Sequence, residues 1–195
     1  MTISEYLDFE AAAEEKHEYV DGEILAMSGG SASASRMAAS LIAAVHDALR
    51  GKPCDVYDSN LKVRIGRKHR YRYPDAMVIC GSEQFDPDDK RRHTITNPRV
   101  IFEILSPSTE RSDRTTKFDD YRSIDGVEEY VLLSQSTPRV ETYHRKPDGT
   151  WQFDVKVGLD SAVTLKSIGI DLPLSELYAG VELSPEEDAD ERREA

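Results

Sequence analysis

The chain has 195 residues, enough for one domain with a sizeable core. Its 38% hydrophobic and 32% charged residues are the makeup of a globular chain rather than a disordered one, and the lack of any run of 18 apolar residues excludes a membrane-spanning helix. The net charge of −12 argues against broad electrostatic attraction to nucleic acid.

Taken in chain order, TISEYLDFEAAAEE reads as a helix, with Thr2 and Glu5 spaced as a capping box. The acidic start, without a basic segment, is not expected to be a signal peptide. HEYVDGEILAM reads as two short strands around Asp21-Gly22, a hairpin signal. SASASRMAASLIAAVHDALRG is a long helix. Met37, Leu41, Ala44, Val45 and Leu49 recur at helical spacing, and Gly51 suits its C-terminal end.

Residues 54–65 and 71–80 are expected as strands around a basic turn, and 82–97 as loop. Residues 62–72 hold six Lys and Arg, so positive charge is segregated there. A solvated hairpin and a phosphate-facing patch are both open readings; in the second, Arg67, Lys68, Arg70 and Arg72 would bind nucleic acid. Residues 99–105 form a strand, 109–124 a helix capped by Thr109 or Ser108, and EEYVLLS a strand buried on both faces. The strand–helix–strand order implies a parallel crossover. Two further strands alternate around Pro147-Asp148-Gly149, with Trp151 as packing, and LPLSELYAG closes as a short helix. The architecture expected is α/β: a mixed central β-sheet flanked by helices, with a C-terminal β-meander. One domain spans residues 1–180. The stretch 181–195 reads as an acidic, disordered tail, with seven acids and two arginines from Glu182 on. Cys54 and Cys80 are far apart in sequence, so neither a disulfide framework nor a zinc cluster is expected, and a reducing cytoplasm fits.

Two otherwise apolar strands carry acids: Asp75 before Ala76-Met77-Val78-Ile79, and Glu103 in VIFEIL. Alternation places Ile101, Glu103 and Leu105 on one face and Val100, Phe102 and Ile104 on the other. An ionised carboxylate there is costly unless a cation or several donors meet it. Each acid alone could be half wet or paired with an arginine. Convergent acids instead suit a hard divalent cation. On the following helix Asp113, Lys117 and Tyr121 share a face. Asp113 and Lys117 could form a surface pair, or Lys117 could lie over the acids and orient a water.

With those residues in view, YPDAMVI, HEYVDGEIL and above all FEILSPSTERSDRTTKFDDYR followed by EEYVLL resemble the Uma-type endonuclease family of the restriction-endonuclease-like, PD-(D/E)XK superfamily. The resemblance covers roughly residues 1–180. It implies a metal-dependent nuclease core that hydrolyses DNA phosphodiesters with Mg²⁺, for which Mn²⁺ substitutes. By position Asp75 is the motif aspartate and Glu103 the motif acid. Leu105 stands where the superfamily has its lysine, and that lysine matches Lys117 on the next helix. Glu18 matches the further acid, so Glu18, Asp75 and Glu103 would hold the metal and Asp75, Glu103 and Lys117 would be catalytic. Asp21 is read as a turn residue. Duplex-cutting nucleases of this superfamily often pair, so a homodimer is an expectation; a membrane partner is not. The missing adjacent lysine and the acidic total keep a second reading open, a non-catalytic nucleic-acid-binding or assembly module on a nuclease scaffold.

Overall fold

The computed structural model describes residues 1–183 except Ser28 and Arg67. The acidic tail expected at 181–195 therefore falls almost wholly outside the described residues, as does Arg67.

Helix α1 (Ile3–Ala12) starts on the Thr2–Glu5 capping box. It covers a hairpin of β1 (His17–Val20) and β2 (Glu23–Ala26). Asp21 at φ 53° and Gly22 at φ 94° make its turn, the left-handed conformation that Asp tolerates and Gly favours. Helix α2 (Ala32–Ala48) is capped by the Ser31 side chain and buries Met37, Leu41, Ala44 and Val45.

The stretch 54–65, expected as one strand, is two: β3 (Cys54–Asp58) and β4 (Lys62–Ile65). Asp58 accepts from Asn60 N at 2.9 Å and bends the chain between them. Likewise 71–80 is divided into β5 (Arg70–Arg72) and β6 (Ala76–Cys80), because Pro74 supplies no ladder N–H. The breaks send the pieces to different sheets. β4 and β5 form the basic hairpin and join β1, β2 and the short β7 (Thr94–Ile95), a strand within the expected loop, in the order β2-β1-β5-β4-β7.

The larger sheet runs β11-β10-β9-β8-β6-β3, with β8 (Val100–Leu105), β9 (Glu129–Ser134), β10 (Arg139–Arg145) and β11 (Trp151–Val157). It is mixed: β8 and β9 are parallel and the other neighbours antiparallel. The connection between β8 and β9 is α3 (Glu110–Ser112), a π-helical turn (Asp113–Lys117) and α4 (Phe118–Tyr121), where a regular helix was expected; neither Thr109 nor Ser112 caps it through its side chain. A ribbon of β12 (Ala162–Leu165) and β13 (Ile170–Pro173), not anticipated from sequence, precedes α5 (Leu174–Leu177).

Each face of the large sheet has its own core. Val100, Phe102 and Ile104 pack with α2, α5 and the ribbon. Ile101 and Leu105 pack with Met77, Tyr121, Tyr130 and Leu132 on the other face. Cys54 and Cys80 correct the sequence reading. They are 26 residues apart, yet the β3–β6 register sets them opposite one another, and their sulfurs are bonded at 2.00 Å. No helix among the described residues is long and apolar enough to cross a membrane.

Candidate active site

The β6–β8 register pairs Ala76 with Phe102, Met77 with Ile101 and Val78 with Val100. One step further along the same register puts Asp75 across from Glu103, at the point where Pro74 has ended the ladder. Asp75 Oδ2 takes the Ile104 N–H at 2.6 Å, replacing a ladder bond with a side-chain one. Glu103 lies on the face of Ile101 and Leu105, only 3% exposed. Its Oε1 accepts from the Tyr121 hydroxyl at 2.9 Å and its Oε2 meets Lys117 Nζ at 3.1 Å.

Lys117 comes from the π-helical turn and also meets Asp113 Oδ1 at 2.9 Å. The i→i+5 bonding of a π turn widens the helix, so Asp113, Lys117 and Tyr121 all reach the end of β8. The turn is anchored below by Tyr130, whose hydroxyl donates to the Asp113 carbonyl at 2.9 Å. Asp113 is buried, and among the described residues its Oδ2 has no hydrogen-bond partner.

Glu18, on β1, approaches from the smaller sheet. Its carboxylate is clamped by Arg72 and by Tyr73 N, the latter at 3.3 Å. Arg72 is itself held by Asp120 Oδ2 at 2.8 Å. Asp120 is fully buried and also binds Lys68 at 3.0 Å and Arg70 at 2.8 Å. The basic hairpin thus turns Lys68, Arg70 and Arg72 inward onto one carboxylate, and Arg70 further pairs with Asp21. Lys68 stays the most open of the three, with 35% of its side chain exposed.

The electrostatics follow from this crowding. Burial pushes the Glu103 carboxyl up to about 8; Lys117 opposes, but Asp75, Asp113 and Glu18 add to the rise. Burial likewise raises Asp75, against the Ile104 N–H and Lys117. Burial alone would lower Lys117, yet Glu103, Asp113 and Glu18 together carry it above the ordinary lysine range. Carboxylates outnumber cations here, so the cluster draws in protons or another cation.

The donor set is all carboxylate oxygen, the preference of Mg²⁺ and Mn²⁺, and Mg²⁺ needs only one or two carboxylates because it keeps its waters. Asp75 and Glu103 therefore fit such an ion, and the orphaned Asp113 Oδ2 marks an unbalanced negative charge beside them. A three-ligand cage is not preformed: among the described residues no three of His, Cys, Asp or Glu stand grouped to hold a metal, and Glu18 is engaged by Arg72.

Of the residues singled out from sequence, Asp75, Glu103 and Lys117 come together, with Glu18 at their side. Sequence reasoning missed Asp120 and Arg72 as the support of Glu18, and Tyr121 as a direct partner of Glu103. Only the shared face of Lys117 and Tyr121 hinted at the last.

An acid opposite an acid at the ends of β6 and β8, with a lysine brought over them from the next helix, on a mixed sheet flanked by helices, defines a restriction-endonuclease-like α/β protein. Residues 3–175 match the Uma2 family, described as "Putative restriction endonuclease", and the chain belongs to that family. It is 36% identical over 182 residues to "Uncharacterized protein slr1290" of Synechocystis sp., covering 93% of both chains. With "Uncharacterized protein sll1609" of the same organism it shares 32% over 163 residues, 84% of this chain and 91% of the relative. The crystal structure of a "putative nuclease belonging to DUF820" from Anabaena variabilis superposes with a TM-score of 0.73 at 17% identity, over 91% of this chain and 97% of that one; at that identity the likeness speaks to the fold.

Proposed function

We propose that the chain is a divalent-metal-dependent endonuclease that hydrolyses phosphodiester bonds in DNA. The observation that carries this reading is Lys117 held 3.1 Å from Glu103 and 2.9 Å from Asp113, beside Asp75, in a cluster whose acids are only partly neutralised. Asp75 and Glu103 would hold Mg²⁺ or Mn²⁺, with Glu18 nearby under the control of Arg72. Such an ion, when bound, offsets phosphate charge and lowers the pKa of water.

The chain's own groups do the rest. Lys117, charged and fixed between two carboxylates, is set to hold a water or a phosphate oxygen near Glu103 without reorganising during the reaction. Tyr121 keeps one Glu103 oxygen occupied, so that the other faces Lys117. Lys68, on the open side of the basic hairpin, is the member of that group best exposed to a phosphate backbone.

Supercoiled plasmid incubated with Mg²⁺ or Mn²⁺ tests this. Cleavage by the wild type that needs the ion and disappears in Glu103→Gln is expected. Cleavage that persists in Glu103→Gln, or in EDTA, would refute the assignment. DNA retention without cleavage under every metal would favour the binding-module reading, to which the inward ion pairing of the basic hairpin lends no support.

A further inference from the structure

The large sheet ends at β11, and no strand of the described residues covers its outer side. The β10–β11 ladder is continued at its ends by Lys146 N to Thr150 O and Gly158 N to Pro138 O, both 2.8 Å. Antiparallel pairs alternate between bonded and non-bonded, so the even-numbered residues of β11 bond to β10. Phe153, Val155 and Val157 turn their N–H and C=O groups outward, and of these the Val157 C=O already accepts from the Ser161 hydroxyl at 2.6 Å, a bond that pairing there would exchange for one to a strand. The Val155 N–H agrees with this: its acceptor is the neighbouring Asp154 carboxylate at 2.9 Å, not β10.

The same odd-numbered residues are apolar. Trp151, Phe153, Val155 and Val157 share one face, and Leu159 follows directly. Phe153, Val157 and Leu159 are 50%, 57% and 50% exposed. Phe153 leans on Tyr143 at 4.9 Å, continuous with the Phe118–Tyr130 packing inside. Soluble proteins usually blunt an edge strand of this length with charge, prolines or a cover. The opposite edge, β3, carries only acids among its charges, Asp55 and Asp58, both exposed, whereas β11 carries one charge of each sign, Asp154 and Lys156, and an apolar second face.

We propose that β11 is the surface through which two copies of this chain associate, antiparallel about a two-fold axis at Val155, joining their six-stranded sheets edge to edge. In this register Val155 faces the partner's Val155, Phe153 faces the partner's Val157, and Asp154 faces the partner's Lys156, with each contact repeated by symmetry. Charge selects the register. An axis at Asp154 sets two aspartates opposite each other, and one at Lys156 sets two lysines opposite each other. Among axes from Phe153 to Val157, only the one at Val155 places opposite charges across from one another. Within one chain Lys156 already lies 3.1 Å from Asp154, so pairing turns two exposed local ion pairs into a four-charge network around the axis.

Sedimentation equilibrium of the full chain tests the proposal, with circular dichroism as the check on folding. The wild type is expected to be a dimer. Val155→Pro removes an outward N–H and no β10 bond, and should weaken association roughly tenfold or more. Lys156→Asp makes both cross-strand charge pairs repulsive and should weaken it by about as much. The double variant Asp154→Lys/Lys156→Asp restores opposite charges and should recover most of the lost association. A monomeric wild type would overturn the proposal. So would a dimer indifferent to Val155→Pro and Lys156→Asp, or a double variant as weakly associated as Lys156→Asp alone. The readout is mass, so the result stands apart from whether the protein cleaves DNA.

Discussion

Lys117 Nζ lies 3.1 Å from Glu103 Oε2 and 2.9 Å from Asp113 Oδ1, so one ammonium bridges the end of strand β8 and the π-helical turn that follows it. Leu105, two residues after Glu103 on the same face, is buried in the apolar core and cannot supply the charge. Lys117→Ala is therefore expected to lower single-turnover cleavage by roughly 10²–10³, the usual loss for one preorganised electrostatic group, while metal affinity changes little because an ammonium is not a ligand. Rapid-quench kinetics on plasmid DNA measure the first and a metal titration the second.

Tyr121→Phe deletes the one neutral donor that the described residues give Glu103 and leaves Oε1 without that partner in a buried site. Stability should fall by about 1–3 kcal/mol, the cost of an unsatisfied buried group. Urea unfolding followed by circular dichroism reads this. An unchanged midpoint would mean that Glu103 finds another donor.

How much of this was legible beforehand differs by scale. The hairpin at Asp21-Gly22, the long α2, the mixed sheet and the parallel β8–β9 step all follow from periodicity and turn chemistry, which are local. Asp75 and Glu103 stood out because an acid in an apolar strand is costly wherever that strand packs. Partition into two sheets was not legible, because it rests on where β4 and β5 go after the breaks at Asn60 and Pro74. Cys54 and Cys80 were misread for the same reason: only the β3–β6 register brings them together. Asp120 was not singled out, because its role depends on three cations more than 45 residues earlier, as seen with Lys68, Arg70 and Arg72.

Those three cations give another prediction. Asp120→Ala would take from Arg72 one of its two buried carboxylate partners, leaving it Glu18, and would leave Arg70 to Asp21 and Lys68 without this partner. Breaking a buried pair by removing one member costs about 3–5 kcal/mol. Because the site is buried, the loss should persist at 0.5 M salt, whereas an exposed pair such as Arg50–Asp47 should be screened. Thermal unfolding at low and high salt distinguishes the two.

The pH dependence carries a definite sign. Glu103 titrates at 4.5 when unconstrained and is pushed up to about 8 in the fold, and Asp75 is shifted the same way. Between those values the folded protein holds a proton that the unfolded chain has lost. Stability is therefore complete below about pH 4.5 for this group and declines as pH rises towards 8, by at most about 1.4 kcal/mol per unit per proton. Urea melts of the metal-free protein from pH 5 to 8 should show that decline. Glu103→Gln should flatten it, and so should millimolar Mg²⁺, which favours the ionised carboxylates.

The central claim, that Asp75 and Glu103 hold a divalent ion beside Lys117, is tested most directly by Mn²⁺ binding followed by electron paramagnetic resonance. Asp75→Asn is the suitable variant at that position, because its side-chain oxygen can still accept from Ile104 N. The wild type and Lys117→Ala are expected to bind one Mn²⁺ with similar affinity, and Asp75→Asn and Glu103→Gln to lose it. Binding that survives in both Asp75→Asn and Glu103→Gln, or a wild type that binds no Mn²⁺, would contradict the account.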